Sequence, residues 1–476
     1  QPATRFLAAI VFLVMLPLHD HPFVHMDNFH EGEHLTPAYL YLNGERPFTD
    51  VFVLHGLAVD GGLDALAGGR PSATRRLETV LDAATLALLV PIAAEVTATT
   101  FGLIAAVIVS LCGAAAFWVP VFPYFRLAPV LLATLGLLRF ARSGRTAPLV
   151  LAFASASLGI LWSLDTGTYA LMGTAICAVL LRRERRVFLI GIASLVLPVL
   201  VLVLVRANVT KFLLDSYVII PRAIDAVWSL TAPPPFTAAG ARYYLPPVFY
   251  GFLLVLAWKR RDPRILIVAI FSLLLFRTAS GRVSWSHTRF ATPMLGLAFI
   301  GFVVEPLRNR IAIALLAIAA IVYFEVPQNL AAGAKLIAQW PSRQKHAGLV
   351  AHPLARGIYT TDENATTLAT LKNYIDSLGA GTILDFSNER ALYFMLRRKP
   401  PVRCFDIPML SAPPLLAEAM RDLDAHPPIA VILGGDPALA VFDGVPNRDR
   451  VPELARWIDA HYPKRTDIGR FTVATR

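Results

Sequence analysis

For a chain of its size, the sequence is short of charge. Asp, Glu, Lys and Arg make up 16% of its 476 residues, against 56% hydrophobic residues and a mean hydropathy of +0.57. Soluble proteins carry about 25% charge. A surface so poor in charge faces something apolar, which excludes two or three ordinary soluble domains and indicates a polytopic membrane protein. Cysteine is also scarce. Cys112, Cys177 and Cys404 form no disulfide framework and no zinc spacing, and two of them lie inside apolar runs. No G-x-G-x-x-G follows a strand and no P-loop occurs, so no nucleotide site is expected. There is no fixed-period repeat. The net charge of +11 and pI near 9.8 would suit nucleic acid. No basic stripe interleaved with aromatics appears, however, and the Arg and Lys clusters sit at the ends of apolar runs, where they set topology. No nucleic-acid partner is expected.

What is present is a series of apolar runs. A membrane span needs roughly 20 apolar residues, and candidate cores lie near 4–18, 77–94, 101–118, 126–140, 147–163, 168–181, 187–205, 244–258, 264–276, 290–304 and 311–325, about eleven in all. The first has Arg5 before it and Leu16-Pro17-Leu18-His19 after it, which is not a small-residue cleavage site, so an anchor is expected. Four short basic connectors, 142–145, 182–186, 259–264 and 308–310, are separated by two runs each. If all four are cytoplasmic, the N-terminus is inside. The first loop (20–76), the turn 164–168, the loops 206–243 and 277–289, and everything after about 326 are then outside. The predicted fold is mainly α: a transmembrane region over 1–335 and a small extracytoplasmic α/β domain over 340–476. In that tail the pattern predicts helices over 362–378, 388–397, 414–426 and 451–461, strands over 382–386 and 429–433, and a closing strand near 471–473.

The polar residues that carry chemistry concentrate on the predicted outer side. The first loop holds Asp27, Glu31 and Glu33 among His25, His30, His34, Asp50, His55 and Asp60. Carboxylates at the lip of a membrane cavity serve as a general base or hold a divalent ion such as Mg or Mn, and the plain alternative is a solvated loop. The string His30-Glu31-Gly32-Glu33-His34 is close to the H-E-x-x-H zinc motif, but Gly32 weakens a helix there and nothing nearby suggests a protease cleft. Asp165 lies at the outer end of a span, where an acid is expensive and marks function unless it is turn chemistry. Arg277, Arg282, His287 and Arg289 crowd one outer loop. Arg suits bidentate phosphate recognition, so this group would hold a lipid phosphate; the alternative is anchoring to headgroups. Arg206, Lys211, Arg222 and Arg242 are weaker candidates for that role.

This layout resembles the GT-C superfamily of integral membrane glycosyltransferases, and within it the bacterial protein mannosyltransferases and aminoarabinose transferases. The resemblance rests on the first-loop acids, on the G-x-x-P-F-x-D-x-F-x-x-H-G stretch from Gly44 to Gly56, on Asp165, and on about eleven spans followed by an outer α/β domain. The family's usual adjacent Asp-Glu pair is Asp27-Asn28 here, so the partner acid is Glu31 or Glu33. The resemblance implies a transferase of the bacterial inner membrane that moves a sugar from a polyprenyl-phosphate donor to an acceptor glycan, lipid or protein on the extracytoplasmic face. Asp27, with Glu31, Glu33 and Asp165, would activate the acceptor hydroxyl, and Asp27 and Asp165 would be the ligands if a divalent cation is used. Asp50, His55, Arg277, Arg282, His287 and Arg289 would bind substrate, the arginines holding the donor phosphate. A transporter or flippase of lipid-linked sugars is the rival reading; it would call for polar residues lining a path through the membrane and an internal repeat.

Overall fold

The computed structural model describes residues 2–20, 26–117, 123–181, 185–227, 230–340, 349–354, 358–434 and 441–476. His25, part of the 182–186 connector and the tail turn at 435–436 lie outside these. The chain folds as two compact units, each drawn from three stretches of sequence: 1–20, 76–200 and 230–342 in the first; 21–75, 201–229 and 343–476 in the second.

The first unit is helical, and among the described residues each of the eleven predicted apolar runs falls mainly on helix. Among the described residues, six helices are long and apolar enough to cross a membrane: Pro2–His19, Pro71–Val96, Tyr124–Ser143, Leu164–Leu181, Arg185–Leu204 and Pro263–Gly281. Arg310–Tyr323 and Val326–Gln339 form a pair bent by 51° that passes the same test together, and Thr100–Gly113, Thr146–Trp162 and Leu295–Val304 are shorter apolar helices. The protein is a multi-pass membrane protein. Local chemistry sets where its helices begin and end. Thr99, Thr237, Asp262 and Asn309 cap helix starts through their side chains, and Gly144 ends Ala128–Ser143 in the left-handed conformation. Small residues let backbones approach. A Cβ on Gly167 would meet the Gly159 carbonyl at 2.0 Å, so Thr146–Trp162 and Leu164–Leu181 pack closer there than any larger side chain permits. Glu95, buried in this unit, is paired with Arg142 at 2.8 Å.

Two details differ from the sequence reading. The turn predicted at 164–168 is helical: Ser163 alone joins two helices, and Asp165 stands in the first turn of Leu164–Leu181. The span predicted to end at 276 continues to Gly281, which puts Arg277 inside the helix, before its last turn.

The second unit is built on a four-stranded sheet: β1 (Ile383–Asp385), β2 (Ala430–Gly434), β3 (Lys464–Ile468) and β4 (Phe471–Thr475). Its order is β1-β2-β4-β3, with β1 and β2 parallel and the other pairings antiparallel. Helices Asp362–Ser377, Pro413–Ala425 and Pro452–His461 fall close to their predicted bounds. The helix predicted over 388–397 covers only Ala391–Leu396, because Asn388 adopts φ 65° and breaks the run. The predicted loop 206–243 holds helices Val209–Leu214 and Ile220–Val227 and the start of Ala238–Arg260.

The first loop is folded into this second unit. Met26, Leu35, Leu40 and Val51 share one core with Leu368, Leu371, Tyr393, Ile432 and Phe471. Its helix, Gly32–Leu42, starts where the chain passes closest to the tail. A Cβ on Gly32 would sit 2.2 Å from the Ala391 nitrogen and 2.7 Å from the Arg390 carbonyl carbon. The helix-weakening Gly32 is therefore required by packing. Gly32→Ala is expected to cost about 1–3 kcal/mol, the usual range for overpacking, seen as a lowered melting temperature of the purified chain.

Candidate functional site

In the second unit the first-loop acids are held one by one. Asp27 precedes the helix and caps the turn leading into it. Its Oδ1 accepts from the Phe29 and His30 amides at 2.9 and 3.1 Å, and its Oδ2 lies 2.6 Å from His30 Nδ1. Asp27 and His30 side chains remain 47% and 43% exposed, so this carboxylate–imidazole pair is fixed in geometry yet open to a reactant. Burial works against the Asp27 carboxylate, but the His30 hydrogen bond and charge outweigh it and hold the group below the usual range. On His30 burial likewise opposes the charge, and Asp27 and Glu33 together raise the imidazole above its ordinary value.

Glu31 is bound by the Arg75 guanidinium, whose Nε is 3.3 Å away and whose Nη2 is in close contact. Glu33 is in close contact with Arg390 Nη1, while Arg390 Nη2 reaches Asp406 Oδ1 at 2.6 Å. Burial raises the Glu33 carboxyl, but the charges of Arg390, His55 and His30 prevail and lower it overall. His34 Nδ1 is 2.9 Å from Asp64 Oδ1, and His55 Nδ1 is 3.0 Å from Asp60 Oδ1. Asp60 also accepts the Leu54 and His55 amides at 2.6 and 2.8 Å. Asp50 is paired with Arg46 at 2.8 Å and closes a tight turn by accepting the Arg46 amide at 2.9 Å.

This arrangement bears on the metal question. His30 and His34 face different carboxylates, Asp27 and Asp64, so the zinc-motif look of 30–34 does not become a shared site. The oxygens of Asp27, Glu31 and Glu33 each accept from a hydrogen-bond donor. His34 and Asp64 set an imidazole and a carboxylate side by side, two of the donors such a cation takes.

In the first unit a second polar group forms around Asp165. Arg126 Nη2 donates to both of its oxygens at 3.0 Å, Ser163 Oγ donates to Oδ1 at 2.9 Å, and Arg126 Nε donates to Ser163 Oγ at 3.1 Å. His287 lies within electrostatic reach of this pair and of Arg282. Burial, together with the Arg282 and Arg126 charges, pushes its imidazole down to about 4, so it is neutral at physiological pH. Its Nδ1 is 2.6 Å from Ser284 Oγ. Arg289 is not a free cation: it shares Glu325 with Arg242, and both guanidinium groups lie 4.8 Å from the Trp285 ring centre. Arg277, on the exposed end of its helix, donates to Ser280 Oγ at 3.0 Å.

The structure thus gathers Asp165, Arg282 and His287 in one unit and Asp27, Glu31, Glu33 and His55 in the other. Among the partners that escaped the sequence reading are Asp64, Arg75, Arg126, Glu325, Arg390 and Asp406. Arg126 carried a signal, a lone cation at the edge of an apolar run. Arg390 and Asp406 carried none, being hundreds of residues from the loop they serve.

No family model and no curated protein matches the sequence. In three dimensions the chain is similar to ArnT from Cupriavidus metallidurans bound to undecaprenyl phosphate, with a TM-score of 0.53 and 12% identity over 99% of this chain and 97% of that one. Weaker likenesses are to the arabinosyltransferase EmbB from Mycobacterium smegmatis (TM-score 0.42, 16% identity, 70% of this chain and 40% of that one) and the archaeal oligosaccharyltransferase AglB from Archaeoglobus fulgidus (0.45, 12%, 99% and 74%). The chain shares the fold of that ArnT structure over nearly its full length.

Proposed function

We propose that the protein is a membrane glycosyltransferase that moves a sugar from a polyprenyl-phosphate donor to an acceptor on the extracytoplasmic face of the bacterial inner membrane. The observation that carries this reading is the half-exposed Asp27–His30 pair in a chain of GT-C fold. A carboxylate that fixes an adjacent neutral imidazole and stabilises the imidazolium formed when it takes a proton is a device for activating a hydroxyl nucleophile. Asp27 orients His30, and the pair accepts the acceptor's proton as its oxygen attacks the sugar carbon and the lipid phosphate departs. The similar ArnT structure holds undecaprenyl phosphate, and we carry a lipid phosphate over as the donor class. Arg277 and Arg282 are guanidinium groups of the kind that holds such a phosphate. His287 stays neutral beside Arg282 and adds a hydrogen-bonding ring without charge. The basic connectors support an inside N-terminus, with the first loop and the tail outside.

The test is a transfer assay with the full chain in liposomes, given labelled polyprenyl-phosphate pentoses and hexoses and a cell-envelope extract. Label is expected to leave the lipid and appear in an acceptor. Label that crosses the bilayer still attached to its lipid, with none transferred, would overturn the proposal in favour of a lipid-linked-sugar flippase.

A further inference from the structure

The tail segment Ser387-Asn388-Glu389-Arg390 is polar, yet each of its residues is at most 3% exposed. Burying that much polarity is costly unless the groups are used: Ser387 and Asn388 bond within the tail, to Asp385 and Asn447, and Glu389 and Arg390 are used on the first loop. Arg390 contacts Glu33 through one terminal nitrogen and Asp406 through the other. Its guanidinium lies 4.1 Å from the Phe29 ring centre, and its carbonyl accepts from Thr36 Oγ1 at 2.7 Å. The Ala391 amide donates to the Asn28 carbonyl at 3.0 Å, and Asn28 Nδ2 donates to Glu389 at 2.7 Å. Glu389 is itself paired with Arg470 at 2.5 Å. Gly32 leaves no room for a side chain against the same segment. Loop positions 28, 29, 32 and 33 are thus held by the tail, and Glu31 by Arg75. The charged groups facing Glu33 are Arg390, His55, His30 and Asp406.

We infer that Arg390 is a positioning residue for the transfer reaction: it fixes Glu33 beside His30, so that the tail completes the acid loop that activates the acceptor. This rests on the transferase reading above. Arg390 does not touch substrate; it acts by holding Glu33, with Asp406 balancing the second arm of the guanidinium fork. The fork fits two carboxylates at once, which a lysine ammonium does not reproduce. Arg390→Lys is therefore expected to behave as a partial loss and not as a silent exchange.

A double-mutant cycle in the full-length, liposome-embedded chain tests it. Arg390→Gln is expected to lower kcat by about 100-fold, the scale of an ångström's misplacement of a reacting group, with KM for the lipid donor unchanged. In a Glu33→Gln background the same substitution should cost almost nothing further, because the group it acts through is gone. Equal losses in both backgrounds overturn the inference. If Arg390→Gln does not fold, Asp406→Asn serves, since it keeps an acceptor oxygen for the guanidinium. Its effect on kcat should also vanish in the Glu33→Gln background, and an undiminished effect overturns the inference. Arg470→Gln breaks a pair in the same segment without touching Glu33 and should leave kcat unchanged; a loss as large as that of Arg390→Gln would assign the effect to packing alone and overturn it too. A wild-type chain that transfers no sugar sinks the transferase reading, whereas a wild-type chain that transfers, combined with an additive cycle, sinks only the role of Arg390.

Discussion

Arg403→Ala is expected to be the most damaging single change to the fold, at about 3–5 kcal/mol, the cost of leaving a buried charge unpaired. Arg403 ties together four separate stretches of the second unit. Its Nη1 is 2.5 Å from Asp215 Oδ2, its Nε and Nη2 reach Glu418 at 2.9 and 2.8 Å, its carbonyl accepts from the Phe52 amide at 3.0 Å, and it lies 5.5 Å from the Phe52 ring centre. Asp215 is 1% exposed, so without Arg403 its carboxylate would face an apolar interior alone. Burial raises the Asp215 carboxyl above its ordinary value even with Arg403 present. A group bound more tightly to its proton when folded loses stability as pH rises through the folded value, so removing Arg403 hurts most at neutral pH. Glu418 behaves the other way in the wild type. The Arg403 hydrogen bond holds it low, and that contribution is present at neutral pH and lost as pH falls. Both terms make the gap between variant and wild type shrink as pH drops from 7 towards 4. Thermal melts of the two proteins across that range check this; a gap independent of pH would show that the ion triad contributes through packing alone.

How far the sequence discloses such features depends on the range over which each is specified. The helices were legible because an apolar run and a cap are local facts: the runs near 77–94 and 264–276 lie on Pro71–Val96 and Pro263–Gly281. The strand Ala430–Gly434 was legible for the same reason, being a short β-branched run before a glycine. The strand Lys464–Ile468 was not, because Lys-Arg-Thr-Asp-Ile has an edge position and little to bury. The acids of the first loop stood out as polar residues in an oily chain, but their charges could not be read. Whether Glu33 is ionised depends on Arg390, and that pairing is fixed by tertiary folding across more than 350 residues. Asp165 looked like turn chemistry because Asp-Thr-Gly favours turns. The helix won there because Gly159 and Gly167 let two helices pack with one residue between them.

Asp27→Asn is expected to lower sugar transfer by about 10²–10⁴-fold, the usual contribution of a positioned acid–base group, while leaving the fold intact. The separation of the two effects follows from what Asp27 does in the structure. One of its oxygens caps the turn by accepting from the Phe29 and His30 amides, and an asparagine at that place caps equally well. The other oxygen faces His30 Nδ1 at 2.6 Å, and its negative charge helps keep the imidazole above its ordinary value. Asparagine removes that charge. The uncharged partner no longer favours an imidazolium, so the pair loses the step in which His30 takes and holds the acceptor's proton. His30→Ala should therefore reproduce most of the loss, and the two substitutions combined should cost little more than either alone, since they disable one unit. Melting temperatures of all three variants should stay within a few degrees of wild type. Normal turnover in Asp27→Asn would remove Asp27 from the chemistry, and additive losses would mean that the two residues act separately and that the 2.6 Å contact serves only the turn.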